Sequence, residues 1–200
     1  MKVLGIYGSP RAQGNSDLLL DQALEGARSA GVDTDSIYVR DLKIAGCREC
    51  GGCNRTGKCV VQDDMQKVYP KIQEAGIIIL SSPIFFYGLS SQVKTLIDRC
   101  QALWSARMLQ KTEKQRKTHE RGRGYLIAVG ATRGKNLFDG VQLTARYFFD
   151  ALDMSYEGGI FFRRVEGKGA IAEQPEAMKQ AFEFGRSLVM GKPIPVNGNP

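Results

Sequence analysis

Four of the five cysteines fall within thirteen residues, at Cys47, Cys50, Cys53 and Cys59. Their spacing is Cys-x2-Cys-x2-Cys-x5-Cys. Compact runs of this kind hold 4Fe–4S clusters, because three thiolates must reach three corners of one cube. A fourth cysteine a few residues on takes the last iron. Gly51 and Gly52 stand where the chain would have to fold tightly around such an object. Arg48, Arg55 and Lys58 can offset the negative charge of a thiolate cluster. Zinc is the main alternative, although structural zinc sites usually use two separated Cys-x2-Cys pairs. Disulfides, or four ordinary thiols in a loop, also stay open. Cys100 lies on an apolar helical stripe and reads as core.

A second constellation is Gly8-Ser9-Pro10-Arg11-Ala12-Gln13-Gly14-Asn15-Ser16. It has hydroxyls, an arginine, glycines for close backbone approach, and a helix start behind it. Those are the parts of an anion cradle, and a phosphate is the expected occupant. No Gly-Lys-Ser/Thr closes it, and it is not Gly-x-Gly-x-x-Gly, so two common nucleotide loops are excluded. A plain strand-to-helix turn is the bland alternative. The stretch Ser82-Pro83-Ile84-Phe85-Phe86-Tyr87-Gly88-Leu89-Ser90 carries three consecutive aromatics. Such a run suits core, an interface, or a pocket that flanks a planar ring. Gly130-Ala131-Thr132-Arg133-Gly134 is small enough for backbone N–H groups to approach a ligand edge.

Strands and helices must alternate to position these loops. Strands are expected at Val3–Tyr7, Ser36–Val39, Ile77–Leu80, Tyr125–Val129 and Ser155–Phe162, the last interrupted at Gly158-Gly159. Helical spacing of apolar residues appears at Leu20, Ala23, Leu24 and Ala27, with Ser16 as N-cap and Gly31 as stop. It recurs at Met65, Val68, Tyr69 and Ile72, capped by Asp63 or Asp64. A third stripe is Val93, Leu96, Ile97, Cys100 and Trp104. Leu137, Val141, Thr144, Phe148 and Leu152 mark a fourth, and Met178, Ala181, Phe182, Gly185 and Val189 the last. Five strands alternating with helices imply a doubly wound parallel α/β sheet, whose ligands bind at the carboxyl ends of the strands. One domain over residues 1–190 is expected, with a cysteine loop at 46–60 and a loose tail at 191–200.

The net charge is +7. The stretch from Arg107 to Arg123 holds seven Lys or Arg against Glu113 and Glu120, so it supplies five of those charges. An exposed basic excursion over 105–123 is therefore expected. It lacks the interleaved aromatics of single-strand binders, which argues against nucleic acid. The one histidine, His119, argues against Ser-His-Asp catalysis and His-rich metal sites. No apolar run approaches the ~18 residues of a membrane span, and no secretion signal is read, so a cytoplasmic address is expected.

The Gly-Ser-Pro-Arg…Gly-Asn-Ser loop, Ser-Pro-Ile-Phe-Phe-Tyr-Gly, and Lys94…Ile97-Asp98-Arg99 together resemble the NADPH-dependent FMN reductase family. The resemblance implies a flavodoxin-like sandwich with strand order 2-1-3-4-5. It implies FMN, with its phosphate on Ser9, Arg11, Asn15 and Ser16. Its isoalloxazine ring would lie against Pro83, Ile84, Phe85, Phe86, Tyr87, Gly88, Gly130, Thr132 and Arg133. Lys94, Asp98 and Arg99 would be structural or interfacial in that family. With the cysteine loop between strand two and the Met65 helix, the chain resembles the iron–sulfur flavoprotein branch. That resemblance implies a 4Fe–4S cluster on Cys47, Cys50, Cys53 and Cys59, near the FMN of a neighbouring subunit in a homodimer or homotetramer.

The expected function is electron transfer through FMN and the cluster, between ferredoxin or NAD(P)H and a small acceptor. The alternative is an NAD(P)H-dependent FMN or quinone reductase whose cysteine loop is structural or binds zinc. A non-enzymatic binding module is the third reading.

Overall fold

The structure, a computed structural model, describes residues 1–191. Five strands form one parallel sheet: β1 (Lys2–Tyr7), β2 (Asp33–Tyr38), β3 (Ile77–Pro83), β4 (Gly122–Val129) and β5 (Met154–Phe162). Their order is β2-β1-β3-β4-β5, as expected of a flavodoxin-like sheet. The central strands are apolar along their length because helices cover both faces. Ile77, Ile78, Ile79 and Leu80 are completely buried.

Helices α1 (Asn15–Ser29) and α6 (Pro175–Met190) cover one face. Helices α2 (Met65–Glu74), α3 (Ser91–Arg99), α4 (Gln101–Gln110) and α5 (Asp139–Ala151) cover the other. The chain after β1 thus turns to one face, and the chain after the adjacent β3 to the other. That reversal opens a crevice at the carboxyl ends of β1 and β3.

Several boundaries differ from the sequence expectation. Gly14, not Ser16, is the N-cap of α1, which starts one residue before Ser16. Gly31, at φ +82°, does stop it. The second strand begins at Asp33 and ends at Tyr38, since Val39 already starts a 3-10 turn. Asp64 occupies the N-cap of α2, but it is the Asp63 carboxylate that accepts from the Met65 N–H, at 3.0 Å. The stripe from Val93 to Trp104 belongs to two helices, because the chain breaks at Cys100. Cys100 itself is buried, as expected, and burial pushes its thiol up to about 12. On α6 Ala181 and Gly185 are buried as expected and are joined by Ala177, Phe184 and Leu188, whereas Met178, Phe182 and Val189 are half-buried. Gly158-Gly159 does not interrupt β5. It carries one extra residue there, a β-bulge against Gly124 and Leu126.

The basic excursion is only partly solvated. Arg107 is buried and lies 3.1 Å from Asp153, while Lys111 reaches the same carboxylate at 2.7 Å. His119 contacts Asp150 on α5 at 2.9 Å. Residues 105–110 belong to α4, and β4 begins at Gly122, so the exposed excursion narrows to the segment 112–120 between them. Lys114, Arg116 and Lys117 remain exposed. The expected loose tail, from 192 onward, lies outside the described residues.

Helices α1 and α6 meet through glycines. A Cβ on Gly185 would fall 1.8 Å from the Ala23 carbonyl oxygen, and one on Gly26 1.9 Å from that of Phe182. Both collisions are with backbone, so relief requires the helices to separate. Gly185→Ala should therefore destabilise the protein by about 3 kcal/mol, near the upper end of overpacking costs. A urea titration checks this, and an unchanged midpoint would show that the helices separate at little cost.

Candidate functional site

Three loops meet at the carboxyl edge of the sheet. The first, between β1 and α1, is pinned from below. The Gly8 N–H donates to the Ser81 carbonyl at 2.9 Å, and the Ser90 hydroxyl donates to the Gly8 carbonyl at 2.6 Å. A Cβ on Gly8 would collide with the Ser81 oxygen at 2.4 Å, so only glycine lets β1 and β3 approach this closely. Ser9 is buried, and its hydroxyl bonds the Arg11 backbone in both directions, at 2.9 and 3.1 Å.

The loop leaves donors free. The backbone N–H groups of Ala12, Asn15 and Ser16 donate to no backbone acceptor among the described residues, while that of Gln13 is directed at the Asp17 carboxylate. The Ser16 hydroxyl is buried without a partner. These groups surround the N-terminus of α1, where an anion is favoured. Arg11 is exposed beside them. The Asn15 side-chain amide is engaged elsewhere: it donates to the Gly167 carbonyl at 2.8 Å and accepts from the Ile171 N–H at 3.1 Å. Its backbone N–H remains at the helix N-terminus. An anion such as phosphate matches this donor set in charge.

Arg40, just past β2, supports the loop from the side. It bonds the buried Asp17 carboxylate at 2.7 Å and approaches the Ser9 carbonyl at 3.4 Å. Burial raises the Asp17 pKa, with Arg40 opposing the rise. Arg40 also lies over the Tyr38 ring, which stacks on Tyr7 at 4.4 Å. The Tyr7 hydroxyl donates to Asp21 at 2.6 Å, and burial pushes that phenol well above its ordinary value.

The second loop follows β3 at Pro83. Ile84 donates its N–H to Val129 at 2.8 Å, which ties the loop to the end of β4. Phe85 and Gly88 exchange backbone hydrogen bonds at 3.0 and 2.8 Å around Phe86 and Tyr87. Both central residues have positive φ, +48° and +62°, as a type I′ turn requires. Asn-Gly normally fills such a turn, and two aromatics there are strained. Phe86 projects fully into solvent, and Phe85 and Tyr87 are exposed. The Tyr87 hydroxyl lies where a Cβ of Gly134 would be, within 2.1 Å, so it packs on the third loop. Gly130 is buried, and Thr132 and Arg133 are exposed on that loop. The three predicted regions therefore share one edge, with an aromatic wall beside a donor-rich cradle.

The cysteine loop lies between β2 and α2. Cys47, Cys50, Cys53 and Cys59 all line one cavity of about 780 Å³ together with Trp104 and Tyr147. All four are free thiols. Among the described residues, no group of three or more Cys, His, Asp or Glu side chains is placed to hold a single metal ion. Cys47 and Cys50 are exposed, and Cys53 and Cys59 are half-buried. Gly57, at φ +67°, lets the loop rest on α4, since a Cβ there would lie 2.7 Å from that of Ala106.

Arg99 anchors this loop. Its guanidinium is 1% exposed and bonds both Asp63 oxygens, with Nη2 to Oδ1 at 3.1 Å. It also donates to the Ala45 carbonyl at 2.8 Å and to the Cys59 sulfur at 3.4 Å. Burial raises the Cys59 thiol, but the Val61 N–H and Arg99 outweigh it, so the net shift is downward. Arg40 and Arg99 are the residues that sequence reasoning did not place in the site. The family resemblance implies only a structural or interfacial role for Arg99. Arg40 had a signal, a cation at a strand's carboxyl end, but nothing local linked it to Asp17.

Residues 1–162 match the family model for NADPH-dependent FMN reductase. The chain belongs to that family. It is a flavin-dependent oxidoreductase, and FMN is its cofactor. It is 36% identical over 148 residues to an iron–sulfur flavoprotein of Methanocaldococcus jannaschii, covering 74% of this chain and 72% of the relative. It is 35% identical over 188 residues to an iron–sulfur flavoprotein of Archaeoglobus fulgidus, covering 93% and 91%. Three other matches of that name span about half of the relative. A solved flavone reductase superimposes with TM-score 0.69 at 20% identity, over 96% of this chain and 62% of that one. At that identity the likeness is one of fold. Among the described residues no helix is long and apolar enough to cross a membrane.

Proposed function

We propose that this reductase-family chain is an iron–sulfur flavoprotein. It would hold FMN across the three loops and a 4Fe–4S cluster on Cys47, Cys50, Cys53 and Cys59. It would pass electrons between a carrier, ferredoxin or NAD(P)H, and a small acceptor. The observation that carries this is one cavity lined by all four thiols, none spent in a disulfide. The names of relatives at 35% and 36% identity support it. The donor set fits a cluster: four soft ligands, with a buried cation beside one.

When bound, FMN exchanges electrons singly or in pairs, and the cluster exchanges them one at a time. The protein's part is binding and electrostatics. The free N–H groups at the start of α1 and the Ser16 hydroxyl would hold the phosphate. Phe85, Phe86 and Tyr87 would flank the ring, and the loop from Gly130 would face its edge. Arg11 and Arg133 bring positive charge that favours a reduced, anionic ring. His119 is bound to Asp150, and the chemistry asks no proton from it. The exposed Phe86, Trp104 and Tyr147 favour assembly of copies into a dimer or tetramer.

The test is the absorption spectrum of protein purified without oxygen, with iron, sulfide, zinc and flavin assayed on the same sample. Flavin bands on a broad shoulder near the ~400 nm region, with about four iron and four sulfide per chain, are expected. Flavin with zinc or no metal would make the chain a simple NAD(P)H-dependent reductase.

Ser16→Ala isolates the phosphate cradle. The hydroxyl is unpartnered without ligand, so the flavin-free variant should be at least as stable as the wild type. Its FMN affinity should fall about tenfold or more, since a hydrogen bond to a charged group contributes about 1.5–3 kcal/mol. Fluorescence titration measures this. Unchanged affinity would remove Ser16 from the cradle.

A further inference from the structure

We propose that Arg99 and Ser105 tune the redox centre of the cysteine loop as positioning residues, donating hydrogen bonds to its two inner sulfurs; this rests on the 4Fe–4S reading above. The four thiols are not equivalent. Cys47 and Cys50 are exposed, with no hydrogen bond to either sulfur among the described residues. Cys59 receives Nη2 of Arg99 at 3.4 Å, and Cys53 receives the Ser105 hydroxyl at 3.4 Å. One half of the site is therefore wet and unbonded, and the other is covered and bonded.

Arg99 is unusual among the charged residues. It is 1% exposed, its Nη groups are engaged by Asp63, Ala45, Val61 and Cys59, and its buried Nε–H has no partner. It also lines the cavity of the four cysteines. A cation that served only to close the loop would need only Asp63. Burying it beside a sulfur places a fixed positive charge next to a centre that becomes more negative on reduction. Hydrogen bonds to sulfur, net charge and exposure are the protein's means of setting such potentials. Ser105 adds a neutral donor to the neighbouring sulfur. Its hydroxyl divides between Cys53 and the Asn54 side-chain oxygen Oδ1, also at 3.4 Å. Both donors favour the reduced centre, so losing either should lower its potential. Arg99 should matter more, because it carries charge as well as a hydrogen bond.

Anaerobic redox titration of the wild type, Arg99→Lys, Arg99→Gln and Ser105→Ala tests this, followed by electron paramagnetic resonance. Iron and sulfide are assayed first. A wild type without iron and sulfide would sink the cluster reading itself, and this inference with it. With a cluster present, the potentials should fall in the order wild type, Lys, Gln. The Gln variant should shift the one-electron equilibrium at least tenfold towards the oxidised form, about 59 mV. Ser105→Ala should shift it the same way by less. If Arg99→Gln fails to assemble its cluster because Asp63 is left alone, Arg99→Lys and Ser105→Ala carry the test. Loaded variants with wild-type potentials would overturn the proposal and leave Arg99 a purely structural anchor.

Discussion

On the proposed iron–sulfur reading, replacing Cys59 by serine should remove most of the bound iron and leave the flavin in place. Cys59 is half-buried on the cavity wall and already accepts a hydrogen bond from Arg99. Its lowered pKa means that the thiolate, the form that ligates metal, is favoured there. A serine hydroxyl has no comparable affinity for iron. The loops proposed to hold FMN belong to the ends of β1, β3 and β4, whereas Cys59 lies between β2 and α2, so that site would keep its framework. Iron should drop from about four per chain to a small fraction of that. The broad shoulder beneath the flavin bands should go with it, and flavin content should match the wild type. Cys53→Ser should behave alike. If both variants keep their iron, the cysteine loop is not its ligand. If both lose flavin as well, the loop and the flavin site fold as one unit.

Arg40→Ala is expected to have the largest effect on stability. It would strand Asp17, whose side chain is 3% exposed and whose partner lies 2.7 Å away. Breaking a buried pair from one side costs about 3–5 kcal/mol, because the remaining charge stays buried and unpaired. The cost should depend on pH in a defined direction. Burial already raises Asp17 above its ordinary value of 3.8, and Arg40 opposes that rise. Without Arg40 the folded-state pKa climbs further, so the native state holds a proton that the unfolded state releases. The penalty is therefore largest above the folded pKa and fades as pH falls through it, until below 3.8 both states are protonated. Urea titrations from neutral to acid pH should show the gap to the wild type narrowing. Arg40→Ala with Asp17→Asn should recover most of the loss. FMN affinity should fall in the single variant, since Arg40 also reaches the Ser9 carbonyl. A gap that stays constant with pH would mean that Asp17 is not the group stranded.

Local sequence carried much of the fold. Ile77–Leu80 could only be a strand buried on both faces, and the stripe Met65, Val68, Tyr69 and Ile72 is the buried face of α2. Where it missed, the reason was tertiary. Cys100 continues the apolar period, so nothing local marks the break between α3 and α4. Ser16 is a good N-cap type, but Gly14 takes the position because the loop must turn tightly over Ser9, whose hydroxyl would lie 2.7 Å from a Cβ there. The charges of 107–123 look solvated by composition. For Arg107 and Lys111, Asp150 and Asp153 on a distant segment decide otherwise, while Lys114, Arg116 and Lys117 stay exposed.

The sequence by itself determined the alternation of strands and helices, the donor types of the phosphate loop and the number and spacing of the thiols. These are properties of neighbouring residues, and periodicity, glycine content and ligand chemistry express them directly. Only the tertiary structure decided which cations serve which site. Arg40 meets Asp17 across twenty-three positions, and Arg99 meets Cys59 across forty. A charge becomes informative once its burial and partner are known. Both follow from how the sheet brings separate segments together, a relation that no local pattern encodes.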